Sequence, residues 1–315
     1  GDLEGAKVRY KAAGVIMNDL GLENTVDNLK YRIKYGRMLY EIGDYETSFA
    51  VRNENLEIAE KVLGKHHLDY ARVTTEMAVS LGQGGSYRAA IPYLEQALEI
   101  EKNILKRSAT HLSEEELSRL IRSTYFSEDV ICLMAEQESE LGGLAYNNIL
   151  FHKGFIQDVV LKLKKLTTSD TLSITAWRRL MNKQRELGQL YARPNPNPEE
   201  VNNLEIAIND LEKTLVRHTK GLDEVLKDVS WREVQASLLP GEAAVEFIEY
   251  GPPEASRYGA LLLSTASKQP DFIPLVTDKA LTELLGGKKK TPEAVINDLY
   301  NWEGPGRQLY ETIRL

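Results

Sequence analysis

The chain has 315 residues, 42% of them hydrophobic and 27% charged, which is enough apolar material for two or three compact domains and too much for a disordered protein. Its formal net charge is −8, with basic residues dispersed among acidic ones, which argues against nucleic acid as a partner. No run reaches the ~18 apolar residues of a membrane helix, so no membrane partner is expected and the chain reads as cytoplasmic; Cys132, the only cysteine, excludes an intrachain disulfide.

The first elements along the chain repeat. Gly43-Asp44-Tyr45 aligns with Gly85-Ser86-Tyr87, and Leu56-Glu57-Ile58 with Leu98-Glu99-Ile100, both at an offset of 42 residues. The same offset sets Gly36 over Ala78, Ser48 over Ala90 and Asp27 over Asp69, so small residues recur where paired helices approach closely. Apolar residues recur at helical spacing over 29–42 and 45–61, with Gly43 between them, so each unit is a helix hairpin. Residues 22–27 read as the tail of an earlier unit, and 112–144 as a further one without the Gly-x-Tyr signal.

This pattern of a small residue, Gly-x-Tyr and another small residue resembles the tetratricopeptide repeat over roughly residues 7–104. The 42-residue period looks like the longer variant found in kinesin light chains. The resemblance implies a right-handed helical superhelix whose groove takes a protein or peptide partner. If the first helix of the first clear unit follows the family pattern, Lys30, Lys34 and Arg37 share one face, Tyr40 lies near its end, and Arg72 is the counterpart of Lys30 in the next unit. These five residues form a candidate surface for an acidic peptide; the same charges also read as a solvated helix face.

A connector follows. Residues 144–160 and 174–191 carry helical patterns, and the Pro-Asn alternation at 194–198 breaks the chain. Asn197 then caps a new helix with Pro198 in its first turn and Glu199 and Glu200 at its positive end. Together 174–191 and 197–215 predict a long antiparallel helix pair serving as a spacer or lever.

After a predicted helix at 231–239, Pro240-Gly241 marks a turn, and β-formers cluster at 243–250, 258–264 and 272–276. Asp278 caps a short helix to Leu285, residues 286–292 read as a basic loop, and 293–300 and 307–315 look helical. The order of repeats, LAYNNILFHKG, helix pair, SWREVQASLLPGEAAVEFIEY, YGALLLST and LYNWEGPGRQLYETI resembles bacterial proteins in which a repeat array is fused to a CHAT domain, a relative of the caspase and separase peptidases.

The expected fold is therefore mainly α: a repeat superhelix at 1–143, a helical connector at 144–228, and at 229–315 the first part of an incomplete α/β, caspase-like CHAT segment. No position matches the family's catalytic histidine or cysteine, which lie later in that domain. Cys132, at helical spacing within the repeats, reads as a buried structural thiol. The chain is thus expected to be inactive alone and to continue into a peptidase half, which is its second expected partner. In that complete protein the resemblance implies a histidine-activated cysteine forming a thioacyl intermediate. Two readings stay open: the sensor and connector portion of a caspase-like cysteine peptidase, or a non-catalytic repeat scaffold with a degenerate CHAT remnant.

No metal or other cofactor is expected. His66 and His67 fall in a turn without a third convergent ligand, His111, His152 and His218 are isolated in the sequence, and no Gly-x-Ser-x-Gly elbow or phosphate loop occurs.

Overall fold

The computed structural model describes residues 3–109, 112–166, 171–191, 197–218 and 228–284, together with Arg307. Helices α1 (Leu3–Asp19), α2 (Val26–Glu41), α3 (Tyr45–Leu63), α4 (Leu68–Gln83), α5 (Tyr87–Ser108), α6 (Glu114–Ala135) and α7 (Gly142–Leu166) stack as hairpins. The antiparallel pair α8 (Thr171–Tyr191) and α9 (Pro198–His218) follows, then the short α10 (Trp231–Ser237). Strands β1 (Ala243–Tyr250), β2 (Arg257–Ser264) and β3 (Asp271–Thr277) and helix α11 (Asp278–Leu284) complete the described order. The expected loop at 286–292 and helices at 293–300 and 307–315 fall outside the described residues, Arg307 apart. Among the described residues, no helix is long and apolar enough to cross a membrane.

The repeated Gly-x-Tyr is the joint of each hairpin. Gly43 has φ +82° and Gly85 φ +74°, the left-handed conformation that a glycine adopts without strain. Asp44 N donates to Leu39 O (2.9 Å) and Ser86 N to Leu81 O (2.8 Å), closing the same helix-ending turn twice. The small residues lie where the hairpin arms meet: Gly36, Ser48, Ala78 and Ala90 are buried, and Ser48 Oγ donates to Gly36 O across the first hairpin. In the third hairpin, α6 and α7, the glycine turn gives way to a 3-10 turn at Ser139–Leu141.

Residues 22–27 are not the tail of an earlier unit. Gly21, with φ +68°, follows α1, and the Thr25 hydroxyl accepts from Asn28 N, so the chain enters α2 at Val26. The earlier unit is represented by α1, packed on α2 through the stacked rings of Tyr10 and Tyr35.

The sheet is an antiparallel meander in the order β1-β2-β3, with pairing from Ala243↔Ser264 to Tyr250↔Arg257 and a bulge at Tyr258/Gly259 on the β3 side. Three antiparallel strands do not define a caspase-like fold. One sheet face contributes Ile248, Tyr250, Leu261 and Leu263 to a core that also holds Leu94, Ile131, Cys132, Tyr146 and Trp231. Repeat array and sheet thus share one apolar core. Cys132 is fully buried there, as expected, and burial pushes its thiol pKa up.

Polar contacts fix the docking. Glu136, the C-cap of α6, accepts from Tyr250 Oη (2.7 Å) and from Arg257 Nη1 (2.9 and 3.1 Å), and Asp129 accepts from Gly251 N (2.9 Å). The start of α7 comes so close that a Cβ on Gly142 would overlap the Pro270 carbonyl oxygen, and one on Gly143 would lie 2.7 Å from Trp231 Nε1. Gly142→Ala should therefore destabilise the protein by about 2 kcal/mol or more, read by urea unfolding, because backbone rather than a flexible side chain meets the new methyl group.

A buried polar chain crosses the array. Thr75 and Ser127 hydroxyls lie 2.9 Å apart, and Ser127 Oγ donates to Glu101 Oε1 (2.6 Å). Glu101 is 4% exposed, its Oε2 has no partner among the described residues, and burial raises its pKa to about 8. A pKa raised on folding stabilises most below the unfolded value of ~4.3, and that contribution fades as pH rises through about 8. Melting temperature should therefore fall more steeply between pH 5 and 8 in the parent than in Glu101→Gln, which keeps the acceptor for Ser127; equal slopes would refute the assignment.

Candidate functional site: the concave face

The first helices of two successive hairpins, α2 and α4, supply most of the lining of one pocket. Along α2, residues 30, 34 and 37 are spaced so that their side chains project together, and α4 adds Asp69 and Arg72 one hairpin on. Lys30, Lys34, Arg37 and Arg72 converge on one pocket of about 270 Å³, whose floor is Val26, Leu29, Ile33 and Leu63 and whose acid is Asp69. Tyr40 does not join them: its ring lies tilted against that of Tyr45, centroids 5.0 Å apart, at the other end of α2.

The cations are not equivalent. Arg37 Nε donates to Glu76 Oε1 at 2.7 Å and its Nη2 binds the same oxygen, so Arg37 is already paired. Glu76 is also 3.7 Å from Arg52 Nη2, and that guanidinium is nearly buried, its Nη1 donating to Glu76 O (3.2 Å) and Ser80 Oγ (2.7 Å). Burial lowers the Arg52 pKa, and the Glu76 carboxylate is the main opposing influence. Lys30, Lys34 and Arg72 are exposed and leave the pocket net positive in a chain of net charge −8.

Phe126 on α6 extends the site to the third hairpin. The guanidinium carbons of Arg37 and Arg72 lie 5.9 and 5.7 Å from its ring centroid, a cation–π geometry that holds both cations at the surface. Phe126, Glu76 and Arg52 were not among the candidate residues read from the sequence. Glu76 lies one repeat period after Lys34, so a charge reversal at that position was visible; no repeat signal marks Phe126, because the third unit lacks the Gly-x-Tyr register.

Of the remaining candidates, His67 is used as the N-cap of α4, its Nδ1 accepting from Asp69 N (3.1 Å). Among the described residues no group of three or more metal-ligating side chains forms. His111 and the side chain of His218 lie outside the described residues.

His152, isolated in the sequence, is not isolated in space. Its Nδ1 lies 2.6 Å from Glu128 Oε2 and its Nε2 3.2 Å from Thr124 Oγ1. The order hydroxyl, imidazole, carboxylate is the one hydrolases use. Here Thr124 is 1% exposed and its hydroxyl donates to Ile121 O, so the oxygen is closed to any substrate. The triad ties α6 to α7.

Residues 28–103 match the family model of the tetratricopeptide repeat, over the stretch that builds this pocket. No curated protein matches the chain. The chain contains tetratricopeptide repeats, and such repeats imply a protein-binding scaffold role.

Removing Glu76 strands a buried guanidinium, so Glu76→Ala should destabilise by about 3 kcal/mol. Arg37→Ala, which removes the outer partner with its half-exposed side chain, should cost under about 1 kcal/mol. Urea unfolding of the two variants checks the order; equal losses would show that Glu76 does not hold Arg52.

Proposed function

We propose that the concave pocket binds an extended acidic segment of a partner protein, and that the chain is the partner-binding and connecting portion of a caspase-like cysteine peptidase of the TPR-CHAT kind. The observation that carries the binding role is the convergence of Lys30, Lys34 and Arg72 over an apolar floor, with Arg37 held beside them by Glu76. The apolar floor takes a side chain of the partner, and the three exposed cations take its carboxylates. Tyr40, placed away from the pocket, has no part in this.

The peptidase connection rests on the likeness of 228–250 and 258–264 to a CHAT segment and on the order of the elements around it. Cys132 is the only cysteine and is buried in α6, so this chain supplies no accessible thiol and acts by binding. In this reading the repeats occupy 1–143, the connector 144–228 and the CHAT segment 229–315. The shared core of array and sheet supports a coupling in which partner binding is felt at the sheet.

The test is fluorescence anisotropy with a labelled peptide alternating Glu and Leu, titrated with the chain. Reversing Lys30, Lys34 and Arg72 to Glu should weaken binding at least tenfold, and raising salt from 0.05 to 0.5 M should weaken it in the parent, as screening of these exposed charges requires (Debye length falling from roughly 14 to 4 Å). Equal binding of a peptide alternating Lys and Leu would overturn the proposal.

A further inference from the structure

Among the described residues, no strand pairs with the outer edge of β1. Lys153 Nζ on α7 donates to Phe247 O (2.9 Å), although β1 has β2 as its partner on the other side. In an antiparallel strand the N–H and C=O of one residue point the same way and the direction alternates along the chain. Phe247 therefore faces away from β2, and so do Val245, Glu249 and Gly251. Gly251 N donates to Asp129 Oδ1. The Phe247 amide and both backbone groups of Val245 and Glu249 have no hydrogen-bond partner among the described residues.

This edge borders a groove of about 510 Å³. Phe247–Gly251 form one wall, and the other carries Tyr125, Glu128 and Asp129 from α6 and His152 and Lys153 from α7. The opposite edge of the sheet, β3, carries Pro274, which has no N–H to offer.

The charges of the groove are unequal. Lys153 is already taken by Glu246 (2.7 Å) and Phe247 O, while Glu128, Asp129 and Glu249 crowd the same space. Burial raises the Asp129 pKa to about 6, with Glu128 and Glu249 pushing the same way, as expected of a carboxylate that lacks a cation. On the other face of β1, Phe247 is 57% exposed.

We propose that the outer edge of β1 accepts an extended segment of a second polypeptide as an added strand, with a lysine or arginine turned toward Glu128 and Asp129 and apolar residues turned toward Phe247. The strand supplies the backbone partners that Val245, Phe247 and Glu249 lack, and its alternation matches an acidic wall on one face and an apolar surface on the other. In the free protein Lys153 holds the place of the incoming N–H at Phe247 O, a common way of blunting an edge. This site is separate from the concave pocket and does not rest on its reading.

The experiment is hydrogen exchange of the β1 amides with and without the capped pentapeptide VKVTV. Exchange over 245–249 should slow at least tenfold with VKVTV and remain unchanged with VEVTV. Phe247→Pro removes an outward N–H without touching the β1–β2 ladder, and should abolish the protection. Should that variant fail to fold, Lys153→Ala serves instead: freeing Phe247 O should strengthen VKVTV binding. Equal protection by VEVTV, binding unaffected by Phe247→Pro, or weaker binding by Lys153→Ala would each overturn the proposal. So would β1 amides already slow without peptide, which would mean that the protein's own residues occupy the edge.

Discussion

The close approach of the first turn of α7 to the sheet governs the rest of the structure. Gly142 and Gly143 leave no room for a side chain between α7 and Pro270 or Trp231. With that gap closed, Tyr250 and Arg257 reach the single carboxylate of Glu136, and Ile248, Leu261 and Leu263 enter the core of the helical array. Burial raises the Tyr250 pKa, so its hydroxyl remains a donor to Glu136 throughout the physiological range. Shifting α7 outward would open an apolar seam and leave these polar groups without partners, a double penalty that makes the joint stiff.

Within the array, Glu76 plays a comparable part. It gathers a buried arginine from α3 and a half-exposed one from α2, so that three helices of two hairpins meet at one carboxylate. Charges that would otherwise repel across the concave face are thereby ordered: Arg37 is held, and Lys30, Lys34 and Arg72 remain free to meet solvent or a partner. A paired arginine stacked on Phe126 also gives the groove a firm wall, which lowers the entropy lost when a peptide settles against it.

Much of this was legible in the sequence because it depends on local physics. Gly43 and Gly85 announce left-handed turns, Gly36, Ser48, Ala78 and Ala90 announce close helix contacts, and Asn197-Pro198 announces a helix start that Glu199 N and Asn197 Oδ1 then form at 2.9 Å. The strand at 243–250 follows from its β-branched and aromatic residues after a Pro-Gly turn, and the one at 257–264 from an apolar run bounded by the loop residues 251–256. Illegible were the contacts between elements distant in sequence. Nothing local marks Glu136 as the partner of Tyr250 or Phe126 as the neighbour of Arg37 and Arg72. Tyr40 was drawn into the candidate site by its position on α2, yet one further helical turn carries it out of the pocket. Helix α1 was not set out as an element of its own, although the resemblance reached into it from residue 7, because its apolar residues are weakly segregated around the helix.

Among the described residues the array has two unlike flanks. At one end the third hairpin lacks a glycine turn and is closed by the sheet, which serves the solenoid as a terminal cap. At the other, α1 presents Val8, Val15 and Ile16 on its exposed side, with Leu20 just beyond its end, a surface of the kind a neighbouring hairpin covers. Lengthening by duplication of a hairpin is therefore compatible with the α1 side alone, because a unit inserted next to the sheet would have to recreate Gly142, Gly143 and Glu136 in one step. A hairpin added on the α1 side would lengthen the groove and leave the junction with the sheet untouched.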